Sequence, residues 1–302
     1  MSGPPPAGPG PDKPLPGARH ALLLLLSINL FNYIDRYILA STLTPISEEL
    51  FGKPGSPGYD PNADTKMGAL TTAFMVSYMV LSPVFGFLGD RYNRWKIIAA
   101  GVGLWSLASG GSGLARSFAF LLVMRICIGV GEAAYAPIAP TLIADLYPVK
   151  RRGSVMAWFY AAIPVGSALG YVLGGQMASL KSWHWAFFIT LPPGIALALW
   201  SLFMKEAPRG GAEDLSGVPA RCPKCGYSLA GLPARSGCPE CGTAYDEHRL
   251  AERPFALRDC LVLLKIPSYV LNVAGMTAMT FAIGGISVWA PHYLAEYRLP
   301  AA

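Results

Sequence analysis

Apolar residues fall in seven runs along the chain, roughly 20 to 41, 67 to 88, 96 to 115, 118 to 142, 154 to 178, 183 to 204 and 267 to 291. Each run is close to the ~20 residues a helix needs to cross a bilayer. The pattern predicts an all-α membrane protein. It divides into a Pro/Gly-rich tail (1–19), a six-helix unit (20–204), a polar loop (205–258) and a last segment (259–302) carrying a seventh helix. The tail SGPPPAGPGPDKPLPG cannot build a core and reads as disordered. Six helices, a loop and the start of another set is the layout of half a transporter plus one helix. The expectation is a fragment, with a natural seven-helix protein as the alternative.

Composition strengthens this reading. The chain is 53% hydrophobic and 14% charged, with a mean hydropathy of +0.39, which excludes an ordinary soluble domain. The formal charge of +6 says little about nucleic acid, and no such partner is expected, because the placement of Lys and Arg matters more. Seventeen of the 24 fall on one side of the predicted spans and five on the other, with Arg36 and Arg125 inside spans. The side holding the N-terminus is therefore cytoplasmic, in a multi-pass protein of the plasma (inner) membrane. A cleaved signal peptide fits less well, because the first run continues into Asn29, Asn32, Asp35 and Arg36 without a small-x-small site.

The polar loop contains RCPKCGYSLAGLPARSGCPECG. Cys222, Cys225, Cys238 and Cys241 form two CPxCG knuckles twelve residues apart, each able to turn two thiolates toward one tetrahedral Zn²⁺. Two disulfides are the alternative, disfavoured in a reducing cytoplasm. A segment this short, 222–241, has almost no core, so metal binding would supply most of its folding free energy. Four Cys ligands close the shell, which makes the zinc structural.

Charge inside the spans is the other anomaly. ALLLLLSINL runs into FNYIDRYILA, where Asn29, Asn32, Asp35 and Arg36 share about a third of a helical wheel. In LLVMRICIGVGEAAYAPIAP, Arg125 and Glu132 lie two turns apart on one face. Ionisable groups at membrane depth cost at least a few kcal/mol and normally face a bundle interior or a water-filled cavity. An Asp35–Arg36 pair that merely locks helices is the bland alternative. A carboxylate near a guanidinium stays ionised, whereas burial favours the proton, and that tension suits proton coupling.

GFLGDRYNRWK (86–96) resembles the loop signature of the major facilitator superfamily, the Arg125 to Glu132 segment resembles its fourth-helix R-x-x-x-G-x-G motif, and AIPVGSALGYVLGG resembles its Gly-rich fifth-helix motif. NYIDR, ADLYPVKRRGSVMAWFYAAIPVGSALGYVLGG, WHWAFFI and IPSYVLNVAG are similar to the spinster branch. The resemblance implies the N-terminal six-helix half of a major facilitator fold plus the first helix of the second half, with a small cytoplasmic zinc-ribbon insert. It implies proton-coupled transport of lysophospholipids, sphingolipid-like lipids or related anionic amphiphiles. By position, Asp35 and Glu132 would be the proton-coupling acids, Arg125 the headgroup anchor with Arg36 and Asn32 beside it, and Gly86, Asp90, Arg91 and Arg94 the cytoplasmic gate. Two other readings stay open: a carrier of small organic anions or sugar acids, and a transport-inactive protein whose zinc ribbon binds a cytoplasmic partner. No nucleophile–base pair, phosphate loop or open metal site suggests an enzyme.

Overall fold

The computed structural model describes residues 13–212, 225, 240–242 and 264–293. The start of the Pro/Gly-rich tail, most of the polar loop, Cys222 and Cys238 lie outside them. The chain divides into two compact units, Met1–Glu213 and Asp214–Ala302. The described residues of the second include one helix, Pro267–Tyr293, over the seventh apolar run.

The first unit is a helical bundle. Its helices are α1 (Ala18–Phe51), α2 (Ala63–Arg91), α3 (Arg94–Ser112), α4 (Phe118–Ala133), α5 (Ile138–Leu146), α6 (Val149–Leu180), α7 (Trp183–Phe188) and α8 (Leu191–Leu202). Helix α1 runs ten residues past the expected end of its apolar run, because STLTPISEELF continues the helix beyond hydrocarbon depth. The fourth and sixth spans are each two helices. Pro137 has no N–H to donate and caps α5, while Pro192 and Pro193 sit in the first turn of α8, so each span breaks just before its prolines.

Among the described residues, five segments are long and apolar enough to cross a membrane: α1, α2, Phe118–Leu146, α6 and Trp183–Leu202. Helix α3 is not among them, because serines, glycines and two tryptophans dilute its apolar content. It packs between α4 and α8, where small residues matter more than hydropathy. Helix α1 packs chiefly on α6, and α2 on α4.

Gly166, Gly170 and Gly174 make the α1–α6 approach possible. A Cβ on Gly170 would stand 2.6 Å from the Ile34 carbonyl oxygen, and one on Gly166 would stand 2.7 Å from that of Leu30. Backbone cannot move aside as a flexible side chain can. Gly170→Val is expected to destabilise the bundle by about 1–3 kcal/mol, read as a lower Tm of the detergent-purified protein.

Two apolar clusters hold the bundle. One, around Leu24, Ile28, Trp95, Trp105 and Leu142, gathers residues toward the end where α1 begins. The other, around Ile38, Ile46, Leu70, Leu121 and Phe187, gathers residues toward the opposite end. The buried polar side chains Asn29, Asn32 and Asp35 lie along α1 between Ile28 of the first cluster and Ile38 of the second, and Ser109, Arg125, Glu132 and Thr190 are buried on α3, α4 and the α7–α8 junction.

Candidate functional site

Asp35 is 1% exposed, Glu132 1% and Arg125 3%, while Arg36 is half-buried. The predicted residues come together, but not as the neighbouring pair Asp35–Arg36. The Arg36 guanidinium crosses from α1 to α4 and donates from Nη2 to Glu132 Oε2, forming an ion pair. Three aromatic rings surround it, with Cζ 4.9 Å from the Phe74 centroid, 5.2 Å from Tyr33 and 5.8 Å from Tyr78. Cation–π attraction and the carboxylate thus offset part of the cost of holding this charge at depth.

Consecutive residues on a helix point about 100° apart, so Asp35 turns to a different wall from Arg36. There Ser109 of α3 donates to Asp35 Oδ1, and Ser109 Oγ lies 3.2 Å from Thr190 Oγ1. Arg125 donates from Nη2 to Ser112 Oγ at 3.0 Å and sets Cζ 5.3 Å from the Phe187 ring. Arg125 makes no ion pair among the described residues. Asn29 donates to the Phe159 carbonyl at 2.8 Å, tying α1 to α6.

Several buried atoms of this layer have no hydrogen-bond partner among the described residues: Asn32 Nδ2, Asp35 Oδ2, Arg36 Nε, Arg125 Nε and Glu132 Oε1. Native cores rarely leave such atoms unmatched, and a cluster of them marks a place built for something other than stability. A cavity of about 190 Å³ adjoins it, bounded by Asn32, Arg36, Tyr78, Glu132, Tyr135 and Tyr160 among others. Polar and aromatic groups line it together, so it offers donors, an acceptor and ring faces.

The residues expected at the gate separate by environment. Asp90 and Arg91 are exposed, and Arg91 lies over the Phe87 ring, 3.5 Å from its centroid. A Cβ on Gly86 would make only ordinary contact with Pro137, at 3.8 Å. The close approach belongs to Gly89, where it would meet Ile138 at 2.9 Å. Arg94 is buried, and it is more than a topology-setting charge. It pairs with Asp145 at the end of α5 and with Glu206 beyond α8, and donates to the Ala207 carbonyl at 2.8 Å. Arg209 donates to the Gly89 carbonyl at 2.9 Å, and the Gly210 N–H donates to Asp145 at 2.9 Å. The segment after α8 is thereby strapped to the α2–α3 turn.

Ser109, Ser112, Thr190, Asp145 and Glu206 were not predicted. Ser106, Ser109 and Ser112 recur every three residues in α3, a polar stripe that could have been read from WSLASGGS. Thr190 and the two carboxylates carry no such signal.

Of the knuckle cysteines, Cys225 and Cys241 lie among the described residues, both in turns. Gly242 follows Cys241 with φ of 65°, the left-handed conformation glycine adopts most readily.

The sequence profile of the Major Facilitator Superfamily matches residues 25–302. Protein spinster homolog 1 of Rattus norvegicus is 38% identical over 282 residues, 92% of this chain and 46% of the rat protein. Protein spinster of Drosophila melanogaster is 34% identical over 272 residues, covering 90% of this chain and 38% of the fly protein. The chain thus spans less than half the length of either relative. A solved bacterial homolog of the human lysosomal transporter spinster, inward-facing and occupied, superposes with a TM-score of 0.59 at 29% identity, covering 66% of this chain and 46% of that one. A D-xylose–proton symporter shares the fold alone, with a TM-score of 0.54 at 17% identity. Helical bundle, motif order and profile agree: the chain, similar to the spinster proteins, belongs to the major facilitator superfamily.

Proposed function

We propose that the protein is a proton-coupled secondary carrier of anionic amphiphiles, lysophospholipids or sphingolipid-like lipids among them, working by alternating access. The observation that carries this reading is the buried layer in which Arg36 pairs with Glu132 while Asp35 and Arg125 keep unpartnered polar atoms. Asp35 and Glu132 take up and release protons. Arg125, Arg36 and Asn32 hold the headgroup, since a guanidinium meets a phosphate or carboxylate with paired donors. The cavity of about 190 Å³ falls below the roughly 300–1,000 Å³ of typical small-molecule sites, so it accounts for a headgroup and not a tail. In carriers built of two halves the site lies between the halves, and the tail would extend into that space. Gly86, Asp90, Arg91 and Arg94 serve the cytoplasmic gate, with the N-terminus in the cytoplasm and the bundle in the plasma membrane.

The full-length protein in proteoliposomes tests this. An imposed proton gradient is expected to drive uptake of a labelled lysophospholipid, and Asp35→Asn and Glu132→Gln are expected to remove the gradient dependence. Uptake of a sugar acid with none of lysolipid would favour the small-anion carrier instead.

The knuckles are proposed to hold one structural Zn²⁺ through Cys222, Cys225, Cys238 and Cys241. The thiolate donor set and the left-handed glycine after Cys241 fit that ion. Elemental analysis of the purified protein is expected to find about one zinc per chain, and Cys225→Ser with Cys241→Ser to bring it near zero. Full zinc retention in that double variant would reject the assignment.

A further inference from the structure

We infer that Ser109 and Thr190 form a two-hydroxyl relay that positions the Asp35 carboxylate and transmits its protonation state to the break in the sixth span. The inference rests on the reading of Asp35 as a group that gains and loses a proton.

The relay joins three elements. Ser109, fully buried on α3, donates to Asp35 Oδ1 on α1. Its oxygen lies 3.2 Å from Thr190 Oγ1, which stands 2.8 Å from the Phe187 carbonyl oxygen, so the one Thr190 hydrogen has two acceptors within reach. Thr190 sits where α7 gives way to α8. Its N–H donates to the same Phe187 carbonyl at 3.3 Å, and its own carbonyl accepts the Gly194 N–H at 3.2 Å near the start of α8. The charges acting on Asp35 come from α4, Arg125 and Glu132. From α3 and the sixth span it meets hydroxyls.

Each hydroxyl owns one hydrogen, and that constraint makes the chain directional. With Asp35 ionised, Ser109 commits its hydrogen to the carboxylate. The Ser109 oxygen then becomes a better acceptor, and the Thr190 hydrogen is drawn toward it and away from Phe187. With Asp35 protonated, the carboxyl O–H donates to Ser109, Ser109 turns its hydrogen to Thr190, and Thr190 keeps its own on Phe187. One proton is added at the carboxyl, no hydroxyl O–H bond breaks, and the direction of donation reverses along the line. The turn across the break at 187–190 therefore gains a hydrogen bond when Asp35 is protonated and loses it when Asp35 is ionised. Ser109 and Thr190 act through Asp35 and are positioning residues.

Infrared difference spectroscopy of the full-length protein in lipid, titrated with pH, reads this without reference to any substrate. The protonated carboxyl C=O band that Asp35→Asn removes belongs to Asp35. If Asp35→Asn removes no titrating band, the coupling reading of Asp35 fails. Given the band, Ser109→Ala is expected to move its midpoint about one pH unit upward, because the ionised form loses a donor, and to shift the C=O frequency. Thr190→Val is expected to move the midpoint less in the same direction, and Thr190→Ser, which keeps the hydroxyl, to stay with the parent protein. The double variant Ser109→Ala with Thr190→Val is expected to move the midpoint by less than the two single shifts summed, since Thr190 shares its hydrogen with Ser109. Should Ser109→Ala fail to fold, the Thr190→Val and Thr190→Ser pair decides by itself. An intact band whose midpoint and frequency are unmoved in these hydroxyl-deleted variants would overturn the relay.

Discussion

Arg36→Met is expected to abolish gradient-driven uptake and to destabilise the purified protein by about 3 kcal/mol, while adding Glu132→Gln recovers most of the stability and none of the transport. The reasoning starts from burial. Glu132 is almost wholly enclosed and its charge is compensated by Arg36, so removing the guanidinium alone strands a carboxylate in a low-dielectric interior. Such single removals cost roughly 3–5 kcal/mol, and the partial exposure of Arg36 places this case at the low end. Methionine keeps contact with the rings of Phe74, Tyr33 and Tyr78, so lost packing contributes little. Glutamine at position 132 then removes the stranded charge. Thermal unfolding of the two single variants and the double variant closes a thermodynamic cycle. A double variant as unstable as Arg36→Met would show that the stranded Glu132 charge is not the source of the loss.

The spans were legible because a 20-residue apolar run admits few alternatives at membrane depth. The breaks in the fourth and sixth spans were signalled as well. Pro137, Pro192 and Pro193 each remove a helical donor, and reading them as breaks would have placed Glu132 on the last turn before one and Thr190 on the other. The membership of the polar layer was legible too, since Asp35, Arg36, Arg125 and Glu132 have nowhere inexpensive to go in lipid. Their partnerships were not. Residues 35 and 36 are adjacent in sequence, yet helical geometry sends them to different neighbours, and only the assembled bundle, in which the long Arg36 side chain reaches from α1 to α4, decides that it meets Glu132. The hydroxyls were harder to read: the Ser106, Ser109 and Ser112 stripe is visible along α3, but Thr190, in the turn between α7 and α8, carries no signal until a carboxylate is set nearby. Gly86 carried the motif, but Gly89 makes the close approach, because α5 reaches α2 one turn further along.

Arg94→Ala is expected to lower stability by roughly 2–4 kcal/mol and to expose the segment 205–210 to protease added to the detergent-purified protein. Arg94 joins the start of α3 to the end of α5 and to the segment that follows α8. Its Nε donates to Glu206 at 2.6 Å, its Nη1 to Asp145 and its Nη2 to the Ala207 carbonyl, while its backbone N–H donates to Glu206 at 2.8 Å. Losing the side chain removes three of these bonds and leaves Asp145 and Glu206 without their common cation. Both carboxylates retain some access to water, which caps the loss below that of a fully enclosed pair. Arg94→Lys separates charge from geometry. An ammonium keeps the positive charge but lacks the planar fork that reaches three acceptors in different directions, so an intermediate stability is expected. If Lys restores full protease resistance, charge alone fastens the strap. If Lys behaves like Ala, the fork is what matters, and Arg209 and Gly210 at Gly89 and Asp145 hold the segment only while Arg94 presents its acceptors. In both cases Arg209 and Arg94 fasten the α2–α3 turn to the segment that follows α8, as a gate at this end of the bundle would require.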